Sequence, residues 1–199
     1  MTKKNIAVTM RYDYFYNRKE LRNGIDFNLI NWIYKLGFTP HLVPNDLRYF
    51  NTIKKKKIHG FILSGGNDTN LKKTRTILEN KILYFSKKKK IPVLGICHGM
   101  QIMNKFEGGN LKKVKNHVNI RHKLKNSVDG YPNEVNSFHN YSISKLGKNF
   151  EILSKSYDGE IKAISHKHYK WLGWMWHPER EKKFNKVLIK KAKSFFRIK

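Results

Sequence analysis

The stretch from residue 92 to residue 106, PVLGICHGMQIMNKF, constrains the fold of this chain more than any other. A short apolar run with no polar alternation is the mark of a strand buried on both faces, and such strands lie inside parallel sheets. Gly95, Cys97 and Gly99 then alternate, and Met100, Ile102, Met103 and Phe106 mark an apolar helix. A side chain held on so tight a strand-to-helix turn needs small neighbours, and the two glycines give the clearance. The pentapeptide has the form of a nucleophile elbow with Cys97 at its apex. The helix N-terminus favours a thiolate there, and the amide of His98 is aimed at an incoming carbonyl oxygen. A cysteine between two glycines is also an ordinary small buried residue, so these residues alone leave both readings open.

The rest of the chain fits a sheet around that strand. Residues 6–10 form an apolar run. Ile25, Leu29, Ile33 and Leu36 recur at helical spacing up to Gly37, and residues 41–44 are extended again. Residues 60–63 form a further buried strand, followed by Ser64-Gly65-Gly66 and a helix whose apolar face reads Leu71, Leu78, Ile82 and Phe85. From residue 108 to about residue 176 the runs shorten: 135–138, 141–143, 151–154, 161–165 and 171–176 are expected strands of an antiparallel or mixed half. A closing helix carries Phe184, Val187, Leu188, Ala192, Phe195 and Phe196 on one side. The expected architecture is α/β, an open, mostly parallel sheet flanked by helices, and residues 1–199 read as a single domain without repeat or linker.

Charge enters here because it competes with this reading. The chain has 42 Lys and Arg against 14 Asp and Glu, a net charge of +28. Such an excess suits nucleic acid or an anionic surface. Yet 34 of those bases are Lys and only 8 are Arg. Arg is the residue that bidentate phosphate or base contacts favour. Lys runs such as residues 54–57 and 87–90 read as solvated helix ends, and a nucleic-acid polymer or membrane partner is not expected. The single Cys excludes an internal disulfide and fits the cytoplasm. The apolar run at 6–10 is too short for a signal peptide core or a membrane span.

Two further elements accompany the elbow. At the end of the last strand the chain reads Trp174-Met175-Trp176-His177-Pro178-Glu179. A residue before Pro is extended, and residues two apart on extended chain share a side, so Glu179 lies beside the His177 ring. That pair supplies a base and the carboxylate that orients it, although an exposed His-Pro-Glu turn would look the same. After the strand at 60–63, the glycines of Ser64-Gly65-Gly66-Asn67-Asp68 allow backbone to approach a ligand. A free amide of Gly66 pairs with that of His98 as an oxyanion hole. No phosphate-binding loop or dinucleotide fingerprint is present, and the nine His show no metal-ligand spacing: His117 with His122, and His166 with His168, read as polar groups of loops. No metal and no cofactor are expected.

In order and separation, the strand-Gly-Gly loop, the Gly-x-Cys-x-Gly elbow and the C-terminal His-Pro-Glu resemble the class I glutamine amidotransferase superfamily along almost the whole chain. The resemblance implies a flavodoxin-like sheet and a Cys97, His177, Glu179 triad. It also implies that Gln101 and the backbone around Ser137, Phe138 and His139 hold the α-amino and α-carboxylate groups of a glutamyl substrate. The segment from Tyr12 to Asn45 and the run Val135-Asn136-Ser137-Phe138-His139 are similar to the stand-alone γ-glutamyl hydrolases. Among these, the whole chain is most similar to the hydrolases acting on γ-glutamyl-CDP-amidate in capsule phosphoramidate formation. A γ-glutamyl-aminobutyrate type of hydrolase and a glutaminase subunit feeding a synthase are the alternatives. His98, Asn140 and Ser64 depart from the commoner family residues and bear on the leaving group. The expected partner is a small γ-glutamyl compound, nucleotide-linked. Three Arg lie between Arg11 and Arg22 among aromatic rings, so Arg11 is a candidate contact for its phosphates, against the alternative of a surface loop with packed aromatics.

Overall fold

The computed structural model describes residues 4–66, 73–125 and 131–197. The chain begins with β1 (Asn5–Thr9), β2 (Arg11–Phe15), β3 (Glu20–Gly24), α1 (Phe27–Lys35), β4 (Thr39–Val43), α2 (Leu47–Lys55) and β5 (Gly60–Leu63). It continues with α3 (Lys73–Lys89), β6 (Val93–Ile96), α4 (His98–Phe106), β7 (Asn110–Lys113), β8 (Val118–Lys125), β9 (Glu134–Phe138) and β10 (Tyr141–Lys145). Last come β11 (Phe150–Ser156), β12 (Ile161–His166), β13 (Trp171–Trp174) and α5 (Lys186–Phe196). Nine strands form one sheet in the order β4-β1-β5-β6-β13-β12-β11-β8-β9. The first five are parallel. The others join antiparallel.

Strand alternation decides which helix covers which face. Ile6, Val8, Ile62, Leu94, Ile96 and Trp174 point to the side that packs against Leu29, Trp32 and Ile33 of α1 and Leu188, Ala192 and Phe196 of α5. Their neighbours Ala7, Phe61, Leu63, Val93 and Trp171 point the other way, into α2, α3 and α4. The central parallel strands β5, β6 and β13 are therefore apolar at every position, as the run at 92–96 requires. Helix starts are set by side chains that take up free amides: Asp26 accepts from Asn28 N at 2.9 Å, Asp46 from Arg48 N at 2.8 Å, and Asn185 from Val187 N at 2.9 Å.

The expected parallel sheet with a mixed C-terminal half is observed, with local differences, among them β7 and β8, which fall on no expected strand. Residues 11–15 and 20–24, a polar and aromatic stretch by sequence, form a hairpin outside the main sheet. Helix α2 went unrecognised because it buries only Phe50 and Ile53. The expected strand at 141–143 pairs with β7 in a separate two-stranded ribbon. The expected strand at 171–176 ends at Trp174. Leu71, Asn67 and Asp68 lie outside the described residues.

Candidate active site

Parallel strands present their carboxyl ends on one edge, and ligands of open α/β sheets bind there. In this chain β5, β6 and β13 are neighbours, with Leu63 beside Gly95 and Ile96 beside Trp174. The segments that leave those three ends are the Ser64-Gly65-Gly66 loop, the Cys97 elbow and the strand exit leading to His177. Cys97 donates its amide to Trp174 O at 2.7 Å, so the elbow is tied to the exit of β13.

The elbow is strained. Cys97 has φ 49° and ψ −102°, a region a residue with a side chain rarely occupies. Helix α4 starts at the next residue and passes so close to β5 that a Cβ on Gly99 would lie 2.1 Å from Leu63 O. Gly65 likewise lies against the His177 ring: a Cβ there would sit 2.4 Å from Cε1.

His177 and Glu179 are almost wholly buried, and the His177 Nδ1 to Glu179 Oε1 distance is 2.6 Å. Burial pulls the pKa of His177 down. The Glu179 carboxylate and the adjacent Cys97, hydrogen-bonded to the ring, push it up further, to about 9. The ring therefore holds its proton at neutral pH. Its backbone is clamped by Asn136, which accepts from His177 N at 2.9 Å and donates to His177 O at 2.7 Å. The Phe138 ring stands edge-on to it, centroids 5.9 Å apart.

One buried cluster fixes both backbone segments facing Cys97. Arg75, 1 % exposed, donates to Gly66 O at 2.5 Å, Ser64 O at 2.7 Å and Gly65 O at 3.3 Å. Carbonyl and amide point in opposite directions across a peptide, so the Gly65 and Gly66 amides face away from Arg75. Arg75 also pairs with Glu79 Oε1 at 3.0 Å. The other Glu79 oxygen lies 2.8 Å from His98 Nε2, which anchors the first residue of α4. Thr9 Oγ1 donates to Glu79 at 2.9 Å and accepts from Ser64 N at 3.1 Å. Burial would raise the Glu79 pKa, but the charges of Arg75 and His98 lower it to about 2.

The remaining expected residues make the following contacts. Gln101, buried on α4, donates to Tyr141 O at 2.9 Å. Ser137 Oγ donates to His117 O at 2.8 Å, and His139 N donates to the same carbonyl at 3.0 Å. Arg11 lines a small cleft with Gly65 and His177, of about 10 Å³, and its Nε donates to Asp13 at 2.8 Å.

Sequence reasoning missed Lys162. It is 1 % exposed, with Nζ 3.1 Å from His139 Nε2, 3.2 Å from His117 Nδ1 and 3.4 Å from Ser137 Oγ. Burial lowers its pKa to about 8, and burial together with the Lys162 charge lowers that of His139 to about 2. A lysine inside the apolar run Ile161-Lys162-Ala163-Ile164 was the available signal. His117 lies in the connection before β8, as expected, but His122 is on β8, and their rings stack at 4.3 Å beside Asp158. Among the described residues His117, His122 and Asp158 are close enough to share a metal ion. With Lys162 donating to Nδ1, His117 carries its proton on Nε2, 3.1 Å from Asp158, while His122 Nδ1 lies 3.6 Å from Asp158 and its Nε2 is buried without a hydrogen-bond partner among the described residues.

The class-I glutamine amidotransferase family model matches residues 20–193. The chain belongs to this family. Among curated relatives, this amidotransferase is similar to γ-glutamyl-CDP-amidate hydrolase of Campylobacter jejuni, 36% identical over 161 residues covering 78% of each chain. It is also similar to the glutamine-hydrolysing GMP synthase of Francisella tularensis, 30% identical over 157 residues, where the match spans 73% of this chain and 28% of the synthase. Among solved structures, a Thermoplasma acidophilum protein assigned as a GMP synthase subunit superposes with a TM-score of 0.77 at 21% identity, covering 98% of this chain and 94% of that one. A Thermotoga maritima glutamine amidotransferase gives 0.67 at 16% identity, covering 98% and 84%.

Removing the Glu79 charge leaves Arg75 buried without its ion pair. Glu79→Gln is expected to lower stability by about 3–5 kcal/mol at neutral pH, read by urea unfolding. The folded pKa lies below the ordinary 4.5, so the carboxylate stabilises fully above 4.5 and progressively less as the pH falls toward 2. Wild-type stability should decline more steeply than the variant's across that window; parallel declines would show that Glu79 does not carry this linkage.

Proposed function

We propose that this amidotransferase hydrolyses the γ-glutamyl amide bond of γ-glutamyl-CDP-amidate (CDP-L-glutamine), giving L-glutamate and cytidine diphosphoramidate, by way of a γ-glutamyl thioester on Cys97. The observation that carries the reading is the convergence of Cys97, His177 and its Glu179 partner at the carboxyl edge of the sheet. The likeness to the Campylobacter jejuni hydrolase supports the choice of substrate.

In this mechanism the Cys97 thiolate adds to the γ-carbonyl carbon. The developing oxyanion accepts from the amides of Gly66 and His98, which Arg75 and Glu79 hold in place. His177 gives its proton to the leaving nitrogen as the carbon–nitrogen bond breaks, and Glu179 keeps the imidazole oriented throughout. Water then enters, His177 takes one of its protons, and the hydroxide displaces the thiol to release glutamate. Gln101, Ser137, Phe138 and His139 form the glutamyl subsite, and Arg11 closes the cleft beside Gly65. None of these steps uses a metal or cofactor. We take the reaction to run in the cytoplasm, where a lone thiol stays reduced, and to serve capsule phosphoramidate modification.

A second reading, a glutaminase supplying ammonia to a separate synthase, is favoured by the match to little more than a quarter of the GMP synthase. The two differ in need for a partner. The purified chain alone is expected to release glutamate from γ-glutamyl-CDP-amidate, and Cys97→Ala to reduce that release at least about a thousandfold. Release that appears only after a synthase is added would favour the second reading.

A His177 pKa raised to about 9 sets the alkaline limit of the reaction. kcat/KM should hold through neutral pH and fall above about 9, as the proton for the leaving group is lost. An acidic limb near the ordinary 6.5 with no loss at 9 would mean that the ring works from its neutral form.

A further inference from the structure

Charged grooves occur at both ends of this sheet, and position separates them. Two lie at the amino edge or along α5: one of about 790 Å³ beside Pro92 and Lys170, the other of about 320 Å³ beside Lys186 and Lys190. Pro92 and Lys170 immediately precede β6 and β13, so the larger of these opens at the end of the strands opposite Cys97.

A third groove, of about 600 Å³, lies on the flank of His177. Its walls are the start of β8, the end of β9 and the turn that follows His177, and Arg121, Arg180, Lys182 and Lys183 line it together with Phe138. This volume suits a nucleotide-sized ligand. Two features connect the groove to the site. The Phe138 ring, 5.9 Å from that of His177, also lines the groove and carries the Arg180 guanidinium on its face at 4.8 Å. Asn136, which clamps the His177 backbone, is a lining residue as well. Arg121 is committed to Glu134 at 2.8 Å and Glu181 at 3.1 Å. Lys182 and Lys183 are exposed and have no carboxylate partner among the described residues.

The side that holds Arg11 is less suited to an anion. Its cleft of about 10 Å³ has room for one water at most. Arg11 and Arg22 are each paired with an acid of their own hairpin, Asp13 and Glu20. Arg180 lines this cleft as well as the groove, but its Nε contacts to acids are longer, 3.7 Å to Asp26 and 3.9 Å to Glu179.

We propose that the groove formed by Phe138, Arg121, Arg180, Lys182 and Lys183 receives the phosphate-bearing leaving half of the substrate. The inference rests on the hydrolase reading above and gives that substrate a place. In a γ-glutamyl phosphoramidate, phosphorus is bonded directly to the nitrogen that His177 protonates. The diphosphate must therefore start next to His177, and Arg180 on the Phe138 ring is the first cation along that path. Lys182 and Lys183 meet the phosphate oxygens farther out, and the nucleoside occupies the remaining volume.

The test is the double variant Lys182→Glu/Lys183→Glu, whose exposed positions leave the core intact, with folding checked by circular dichroism. Glutamate release is compared on γ-glutamyl-CDP-amidate and on γ-glutamyl-p-nitroanilide, whose leaving group has no phosphate. CDP is also titrated as an inhibitor of the p-nitroanilide reaction. The expected result is at least a tenfold fall in the ratio of kcat/KM for the two substrates and at least a tenfold rise in the CDP inhibition constant. An unchanged ratio in an enzyme that does turn over γ-glutamyl-CDP-amidate overturns the groove. If the wild type ignores γ-glutamyl-CDP-amidate but is inhibited by CDP, and the variant relieves the inhibition, the groove stands and the substrate reading falls. Absence of both turnover and CDP inhibition in the wild type overturns both.

Discussion

The backbone of Cys97 is the constraint on which the rest of this structure depends. A residue with a side chain at φ 49° costs on the order of 1–3 kcal/mol and persists only where its surroundings leave no alternative. Here those surroundings can be named. Strand β6 lies between β5 and β13 and is buried on both faces, so the direction of entry is fixed. Helix α4 leaves at once and packs on β5 with nothing larger than hydrogen on Gly99. Between them the chain has one residue in which to turn, and its side chain is left facing the edge where His177 emerges.

The second layer is electrostatic. Arg75 and Glu79 lie on one helical turn of α3 and reach two different segments, Arg75 the carbonyls of 64–66 and Glu79 the ring of His98. One buried ion pair thus holds both segments whose amides are proposed to receive the oxyanion. A buried pair of this kind is a poor source of net stability, since desolvation opposes its attraction, but breaking it from one side leaves a charge stranded. On the other wall, Lys162 ties Ser137, His139 and His117 together through neutral acceptors. Both walls are therefore held by groups that make no use of the Lys-rich exterior.

What could be read from the sequence was local. The elbow, the Gly-Gly loop and His177 with Glu179 are runs of adjacent residues, and the strands carrying them are apolar at every position, so motif and burial reinforce each other. Arg75, Asn136 and Lys162 went unread because the partners that give them meaning lie 9–11, 41 and 23–45 residues away. The β2–β3 hairpin exposes Tyr14, Phe15, Tyr16 and Leu21, so no inside and outside were imprinted on its alternation. Residues 141–145 do alternate, but alternation does not say which strand will be the partner, and β7 takes that place. The net charge of +28 was a poor guide as a total. Its informative members are few: Arg75 and Lys162, buried in the walls of the site, and the charges proposed to meet the substrate beside His177.

In the proposed reaction, covalent attachment to Cys97 is the step everything else serves. The most direct measurement is acid quenching during turnover of γ-glutamyl-p-nitroanilide, followed by mass spectrometry of the peptide that contains residue 97. A thioester route predicts one γ-glutamyl group on that peptide, released by hydroxylamine and absent after Cys97→Ser. Continued glutamate release with Cys97 unmodified at every quench time, or with the label on another residue, would contradict it.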